Sequence, residues 1–345
     1  MSLNNRTSYC EIGTPLFICG YPKSGTTLLL SLLDDHPELL VFPEETNFFR
    51  RIWRHRERCS LSYVLKNTGV GTLAVGKKRM TSGERDYRHF DFEYFRARCE
   101  QMWDAEKRDR ADLLEAIFCA FAETINRPVS KYWVEKTPLN ELYLKELLPR
   151  WPNLRALYIL RDPRDNYFSY RRQRQMQVQA RTTALPLLSP AEFLAGWLES
   201  LRFWLSFSDR FRDQALLIRY EDLVFYPEAT LRKVCDFLRI KWSQTLLQPT
   251  RLGNSWAGNS VFGDQYQAVS HASVGRYKGK LVGDDLDFIE SVLGSVIEKW
   301  GWELPTKKKF PIAQLLHTLL SRRIRPFVKV KLVAEIVRCK ISGVI

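Results

Sequence analysis

A run of small and hydroxyl-bearing residues near the start of this 345-residue chain could bind an anion. From Gly20 to Thr27 it reads Gly-Tyr-Pro-Lys-Ser-Gly-Thr-Thr. The apolar residues before it have the pattern of a strand, and the leucines after it predict a helix. Backbone N–H groups at the start of a helix are unpaired and lie at the positive end of its dipole, which favours a phosphate or sulfate there. The sequence therefore predicts an anion site in this turn.

The position of one lysine separates this run from the loop that binds ATP. A P-loop has the pattern GxxxxGK[ST], with lysine directly after the second glycine. Gly20 and Gly25 have this spacing, but Thr26 follows Gly25 and the lysine lies earlier, at Lys23. No aspartate at a strand end is clearly placed to bind Mg²⁺ either. Both departures argue against an ATP-dependent phosphotransferase with a kinase-like P-loop. That enzyme and a non-catalytic nucleotide-binding protein remain alternative interpretations of the chain.

A second polar segment follows another apolar run. Residues 154–160 predict a buried strand that ends at Arg161, and Pro163 then begins a predicted helix that carries Ser169. Asp162 before a proline is typical of a helix N-cap, so a purely structural interpretation of this turn is also open. A cap and an anion site are compatible in the same turn.

Together these two segments resemble those of the sulfotransferases that use 3′-phosphoadenosine-5′-phosphosulfate (PAPS). The resemblance implies that Lys23 and the residues Ser24, Gly25, Thr26 and Thr27 bind the 5′-phosphosulfate. It also implies that Arg161 and Ser169 hold the 3′-phosphate, by a charge-assisted fork and a hydroxyl. Further segments, in order along the chain, are similar to tyrosylprotein sulfotransferases and their bacterial relatives: 42–46 (Phe-Pro-Glu-Glu-Thr), 135–138 (Glu-Lys-Thr-Pro), 219–223 (Arg-Tyr-Glu-Asp-Leu) and 273–279 (Ser-Val-Gly-Arg-Tyr-Lys-Gly).

The resemblance implies in-line transfer of a sulfuryl group from PAPS to an acceptor hydroxyl, leaving the product PAP, with a glutamate base and no metal. Glu45 lies 22 residues after Lys23, the spacing of the tyrosylprotein branch, where the second glutamate of the pair is the proposed base. Glu44 and His271 remain alternatives. Lys23 and Lys136 are predicted to stabilise the charge on the departing oxygen, as cations do in phosphoryl transfer.

Later residues are predicted to complete the site. Tyr220 is expected either to touch the adenosine or the acceptor, or to pack at the end of its strand. Arg276 and Lys278 lie between two glycines and are predicted to bind the 3′-phosphate, with a solvated basic pair as the alternative. Trp256 and Tyr266, in a predicted loop over 249–280, could line an acceptor pocket.

The elements that position these residues alternate between strand and helix patterns. Strands are predicted near 15–20, 131–135, 155–160 and 215–220, and helices near 25–35, 112–125, 139–149, 164–176, 190–209, 228–238 and 285–300. This alternation predicts an α/β fold, a P-loop-type three-layer domain with a central parallel sheet flanked by helices. An apolar content of 45%, with 13% aromatic residues, can fill its core.

The net charge of +14 is concentrated at the C-terminus. Residues 307–345 contain ten Lys or Arg and one acidic residue, so they supply +9 and the rest of the chain +5. We therefore predict a sulfotransferase domain over 1–305 and a basic amphipathic tail over 306–345. The sequence has neither a basic face interleaved with aromatics nor a known reader motif, so no nucleic-acid partner is predicted.

The tail has apolar residues at helical spacing among its basic residues. One cluster lies at 312–320 and a second contains Leu332, Val333, Ile336 and Val337. They are expected either to pack on the domain or a partner subunit, or to lie on an anionic membrane. Seven cysteines without a CxxC pair, and an N-terminus without an apolar signal core, favour a cytoplasmic protein that is peripheral on the membrane if the tail binds lipid. The acceptor (protein tyrosine, carbohydrate or small molecule) and the oligomeric state are not determined by the sequence.

Overall fold

The computed structural model describes residues 12–80, 83–103, 109–127, 129–266, 268–304 and 325–345. Its strands are β1 (Thr14–Cys19), β2 (Leu39–Val41), β3 (Lys77–Met80), β4 (Gly83–Asp86), β5 (Tyr132–Lys136), β6 (Arg155–Leu160), β7 (Ala215–Arg219), β8 (Thr250–Arg251) and β9 (Asn254–Ser255). Five of them form one parallel sheet in the order β2-β5-β1-β6-β7, with the first strand of the chain in its centre. The other four form two small antiparallel pairs, β3 with β4 and β8 with β9.

Helices cover both faces of this sheet. They are α1 (Thr26–Leu33), α2 (Leu61–Asn67), α3 (Phe92–Met102), α4 (Arg110–Thr124), α5 (Leu144–Leu147), α6 (Pro163–Gln179), α7 (Pro190–Ser208), α8 (Tyr220–Phe225), α9 (Pro227–Leu238), α10 (Asp284–Lys299) and a C-terminal helix (Pro326–Ile341). A five-residue π-helix, Phe49–Trp53, follows β2.

The central strand β1 shows why both faces are covered. Its side chains alternate between two apolar clusters, because successive residues of a strand point to opposite faces. Leu16 and Ile18 pack with the leucines of α1 and with α9, whereas Phe17 and Cys19 pack with α4 and α7. A strand that is apolar on both faces is typical of a parallel sheet between two helical layers.

The predicted fold class is confirmed, and each predicted sheet strand lies within one residue of an observed one. The helix predicted at 139–149 is wrong in its length, since the structure has a 3₁₀ turn at Asn140–Leu142 followed by the four-residue α5. The sequence does not predict strand β2, because three residues are too few to show a period. The predicted loop over 249–280 contains only β8 and β9 among its described residues.

One face of the C-terminal helix packs against α7. Val328, Leu332, Ile336 and Cys339 are buried there. The fully buried carboxylate of Glu335 also accepts a hydrogen bond from Arg202 Nε at 2.9 Å. The other predicted tail cluster, at 312–320, and the predicted domain boundary at 305 lie outside the described residues. No helix within the described ranges is long and apolar enough to cross a membrane.

Candidate active site

The candidate site lies where the parallel strands end. Gly20 directly follows β1, Lys136 is the last residue of β5, Arg161 directly follows β6 and Tyr220 directly follows β7. These four strands are neighbours in the sheet, so the four residues meet at its carboxyl edge. Parallel α/β sheets bind their ligands at this edge.

The turn between β1 and α1 requires its two glycines. Gly25 has φ 110°, and a Cβ built on it would lie 2.4 Å from the Tyr220 ring. Gly20 has φ 139°, and its Cβ would lie 2.8 Å from the carbonyl oxygen of Ile159. The backbone of the turn is therefore pressed against the neighbouring strand ends, and side chains at these two positions would close the space around it.

Three basic side chains, those of Lys23, Lys136 and Arg161, lie in or beside this turn. Lys136 Nζ donates to Glu45 Oε1 at 2.6 Å and to Thr27 Oγ1 at 3.1 Å. Arg161 donates to carbonyl oxygens, those of Lys23 at 3.0 Å and Ser273 at 2.7 Å. Within the described part of the chain, neither Lys23 nor Arg161 forms an ion pair. The positive charge of these two side chains is therefore not balanced by a bonded carboxylate.

The pKa of Lys23 is lowered, first by burial and then by this surplus of positive charge. Burial of the amine lowers it to about 8, and the nearby positive charge of Arg161 acts in the same direction. The negative charge of Glu45 opposes the shift without cancelling it. An anion next to Lys23 would favour its charged form.

Several hydrogen-bonding groups around the turn lack a partner within the described ranges. Ser24 Oγ and Arg161 Nε are buried without one among the described residues. In the part of the chain that the structure describes, no side chain caps the N-terminus of α1. Buried polar groups in folded proteins are almost always paired, so unpaired donors beside two unbalanced cations indicate a ligand with several acceptor oxygens. A phosphate or sulfate group fits this set of donors.

A cavity of about 530 Å³ opens at this edge of the sheet. Most residues that the sequence predicted for the site line it: Lys23, Gly25, Thr26, Thr27, Glu45, Lys136, Arg161, Ser169 and Tyr220. Ser24 belongs to the same turn and is buried. Trp256 and Tyr266 also line the cavity. Within the described ranges, no group of three or more His, Cys, Asp or Glu side chains could hold a metal ion.

Two predicted residues are not brought to the cavity. Arg276 forms an ion pair with Asp264 at 2.5 Å, and its guanidinium also lies over the Phe262 ring. Lys278 is largely exposed and pairs with Glu303 at 2.9 Å. Arg276 thus holds the loop whose residues line the cavity through its contacts with Asp264 and Phe262.

The two adjacent glutamates have different surroundings. Glu44 is buried and forms ion pairs with Arg85 at 2.5 Å and Arg251 at 2.9 Å, and the Tyr87 hydroxyl donates to it as well. The side chain of Glu45 is 41% exposed, and Lys136 is its ion-pair partner. Both glutamates line the cavity, but Glu45 has the more exposed carboxylate and is the better placed to meet a second substrate. The third candidate base, His271, stacks on Phe225 and does not line the cavity.

Glu141 also supports the turn, a role that no pattern in the sequence indicates. Its buried carboxylate accepts a hydrogen bond from the backbone N–H of Gly20 at 3.1 Å and another from the Ser200 hydroxyl. Burial raises its pKa to about 7. Asp165 acts similarly on the later loop, accepting bonds from the backbone N–H groups of Gly275 and Tyr277. Both carboxylates lie in segments predicted to be helical, where an acidic residue usually faces water.

Known proteins resemble this chain in sequence. It is 26% identical to protein-tyrosine sulfotransferase 2 of Gallus gallus over 250 residues, which cover 71% of this chain and 56% of that protein. It is 25% identical to protein-tyrosine sulfotransferase 1 of Danio rerio over 246 residues, or 71% of this chain and 59% of that protein. The matches thus span less than two thirds of the length of these curated relatives.

Solved structures with the same fold are also sulfotransferase domains. The domain from the Synechococcus PCC 7002 olefin synthase has a TM-score of 0.53 and 20% identity, and the match covers 88% of this chain and 100% of that one. The domain from the curacin biosynthetic pathway has a TM-score of 0.50 and 18% identity, covering 86% and 100%. The profile of the Sulfotransferase family matches residues 15–244, which include the turn, Glu45, Lys136, Arg161 and Tyr220. The chain belongs to the sulfotransferase family.

Proposed function

We propose that this protein transfers a sulfuryl group from PAPS to an acceptor hydroxyl. One observation carries the proposal: Lys23 and Arg161 line the cavity without a bonded carboxylate among the described residues, beside a helix N-terminus that no side chain caps. A ligand with more than one anionic group balances both cations. Family membership and the names of the curated relatives indicate that this ligand is a sulfuryl donor.

The donor is proposed to lie along the carboxyl edge of the sheet. Its 5′-phosphosulfate is held by the turn from Lys23 to Thr27, and its 3′-phosphate by Arg161 and Ser169. Tyr220 supports both groups, because its ring lies under the Arg161 guanidinium at 4.4 Å and against Gly25. Arg276 and Lys278 add to the 3′-phosphate site only if their ion pairs open.

Glu45 is proposed as the general base. It accepts the proton of the acceptor hydroxyl while the acceptor oxygen forms a bond to sulfur and the bond between sulfur and the bridging oxygen breaks. PAP leaves with the bridging oxygen and the electron pair of that bond. Lys136 is suited to stabilise this oxygen, because its ammonium bridges Glu45 and Thr27 of the turn, and Lys23 adds a second positive charge.

The acceptor is proposed to enter beside Glu45. Trp256 and Tyr266 line the same cavity and offer aromatic surface to it. Protein tyrosine, the acceptor named for the curated relatives, is one candidate, and a carbohydrate or small-molecule hydroxyl would use the same base. We also propose a cytoplasmic location and no nucleic-acid partner, from the composition of the chain.

Ligand-dependent melting and calorimetric titration test the donor site. PAP at 100 times its dissociation constant should stabilise the protein by about 2.7 kcal/mol, and AMP and ATP at the same concentration by much less. Arg161→Ala should weaken PAP far more than adenosine 5′-phosphosulfate, which lacks the 3′-phosphate and serves as the matched ligand. Equal stabilisation by ATP, or equal losses for both ligands in Arg161→Ala, would contradict the assignment.

A further inference from the structure

The C-terminal helix has a second apolar face that remains exposed. Phe327, Val330, Val333, Val337 and Ile341 have exposed fractions of 60, 71, 42, 49 and 83%. Successive helical residues are rotated by about 100°, so these five lie on one side of the helix. Their mean direction is roughly opposite to that of Val328, Leu332, Ile336 and Cys339, which pack on the domain. This exposed stripe is therefore separate from the surface that anchors the helix.

Basic residues border the exposed stripe on both sides. By the same rotation, Lys331 and Arg338 lie along one edge, and Lys329 and Lys340 along the other. Lys331 and Arg338 contact Glu199 and Glu335 at 2.7 and 2.6 Å, yet their side chains stay 43 and 59% exposed. Lys340 is exposed as well. An apolar stripe between two basic rows is the pattern of a helix that lies in the surface of a membrane.

The charges beside the exposed stripe favour contact with an anionic bilayer over contact with a second copy of the helix. A second copy of the helix would place basic rows against basic rows, and like charges beside an apolar seam oppose pairing. An anionic bilayer instead offers phosphate groups to both rows while its acyl chains receive the valines. Lysine and arginine side chains can extend to the headgroups while their apolar stems cover the stripe edges.

We propose that the exposed stripe of the C-terminal helix binds an anionic lipid surface. The opposite face of the helix is fixed to α7 by its buried side chains and by the contact between Glu335 and Arg202, so the whole domain follows the helix to the membrane. The helix lies on the surface and does not cross it. This inference does not depend on the chemistry of the active site.

Co-sedimentation with phosphatidylserine-containing vesicles at low salt tests the proposal in the full-length protein. Val330→Glu and Val282→Glu form a matched pair, because both valines are 71% exposed and only Val330 lies in the stripe. Val330→Glu should weaken vesicle binding by roughly 5-fold or more, and Val330→Glu/Val337→Glu by roughly 25-fold or more. Val282→Glu should change it little. Lys329→Gln/Lys340→Gln, a variant that leaves the apolar residues intact, should also lose roughly 25-fold.

Neutral vesicles and high salt provide the controls for binding to anionic vesicles. Wild-type protein should bind neutral phosphatidylcholine vesicles weakly and dissociate from anionic vesicles at high salt. The proposal fails if wild-type protein does not sediment with anionic vesicles at low salt, or if Val330→Glu and Val282→Glu lose equal affinity. It also fails if analytical ultracentrifugation shows a dimer that Val330→Glu dissociates, since a second copy would then cover the stripe. PAP binding should be unchanged in all of these variants.

Discussion

Replacing Gly25 by alanine tests the claim that the turn after β1 has no room for a side chain. A Cβ at this position would lie 2.4 Å from Cδ2 and 2.9 Å from Cε2 of Tyr220. The ring cannot move aside easily, because Tyr220 is buried and carries the Arg161 guanidinium at 4.4 Å. The variant therefore strains the backbone of the turn and displaces the residues proposed to bind both phosphates.

The expected cost has two parts. A residue other than glycine at φ 110° costs roughly 1–3 kcal/mol in backbone strain. Overpacking against the buried ring adds roughly 1–3 kcal/mol, which gives a loss in unfolding free energy of roughly 2–6 kcal/mol. Gly301→Ala is the control, since a Cβ added to Gly301 would have no atom within 4 Å and its φ of 71° lies in the left-handed region, so this variant suffers only the milder backbone strain of that region.

Urea denaturation measures the loss of stability, and calorimetric titration with PAP measures the loss of affinity. Gly25→Ala should lose roughly 1–3 kcal/mol more stability than Gly301→Ala, and its PAP affinity should fall at least about tenfold. Gly301→Ala should bind PAP normally. If both variants lose the same stability and Gly25→Ala binds PAP with wild-type affinity, the turn is not packed as described and its role as a phosphate site is refuted.

Three further predictions concern buried charged side chains. Burial raises the pKa of Glu141 from 4.5 to about 7, so its contribution to stability is present below pH 4.5 and lost as the pH rises to 7. Urea titrations should show the wild-type unfolding free energy falling by about 3 kcal/mol relative to Glu141→Gln over this range, and parallel pH profiles would contradict this. The pKa of Lys23 is lowered to about 8, so calorimetry should show PAP affinity falling by up to roughly tenfold per pH unit above 8, whereas Lys23→Arg should give a flat profile. Glu44→Ala removes the carboxylate that two buried arginines share. It should lower the unfolding free energy, measured by urea denaturation, by roughly 3–5 kcal/mol, far more than Glu228→Ala, which removes an exposed carboxylate.

The central strands and the turn were predictable because their signals are local. Apolar runs followed by a glycine or by charged residues mark the strand ends, and all parallel strands bring these ends to one edge. The family resemblance assigned Lys23 and Arg161 to one nucleotide, although they are far apart in the chain, and the structure brings both to this edge. The contact between Lys136 and Glu45 depends on the pairing of β2 with β5, and the sequence did not predict this strand pair.

Other features depend on contacts that no local pattern encodes. The role of Glu141 arises because a short 3₁₀ turn replaces the predicted helix and brings its carboxylate to Gly20. The position of Arg276 depends on Asp264, a loop residue without helical or strand spacing around it. In the tail, the sequence showed an amphipathic helix, but only the packing on α7 shows which of its two apolar faces is left exposed.

The most direct test of the central claim is single-turnover transfer from radiolabelled PAPS to a panel of tyrosine peptides, carbohydrates and small alcohols. Wild-type protein should transfer label to a hydroxyl acceptor, and Glu45→Gln should bind PAP normally while transferring roughly 10²–10⁴-fold more slowly. Label transfer at the wild-type rate by Glu45→Gln would show that Glu45 is not the base. Phosphoryl transfer from ATP, with no transfer from PAPS, would contradict sulfuryl transfer itself.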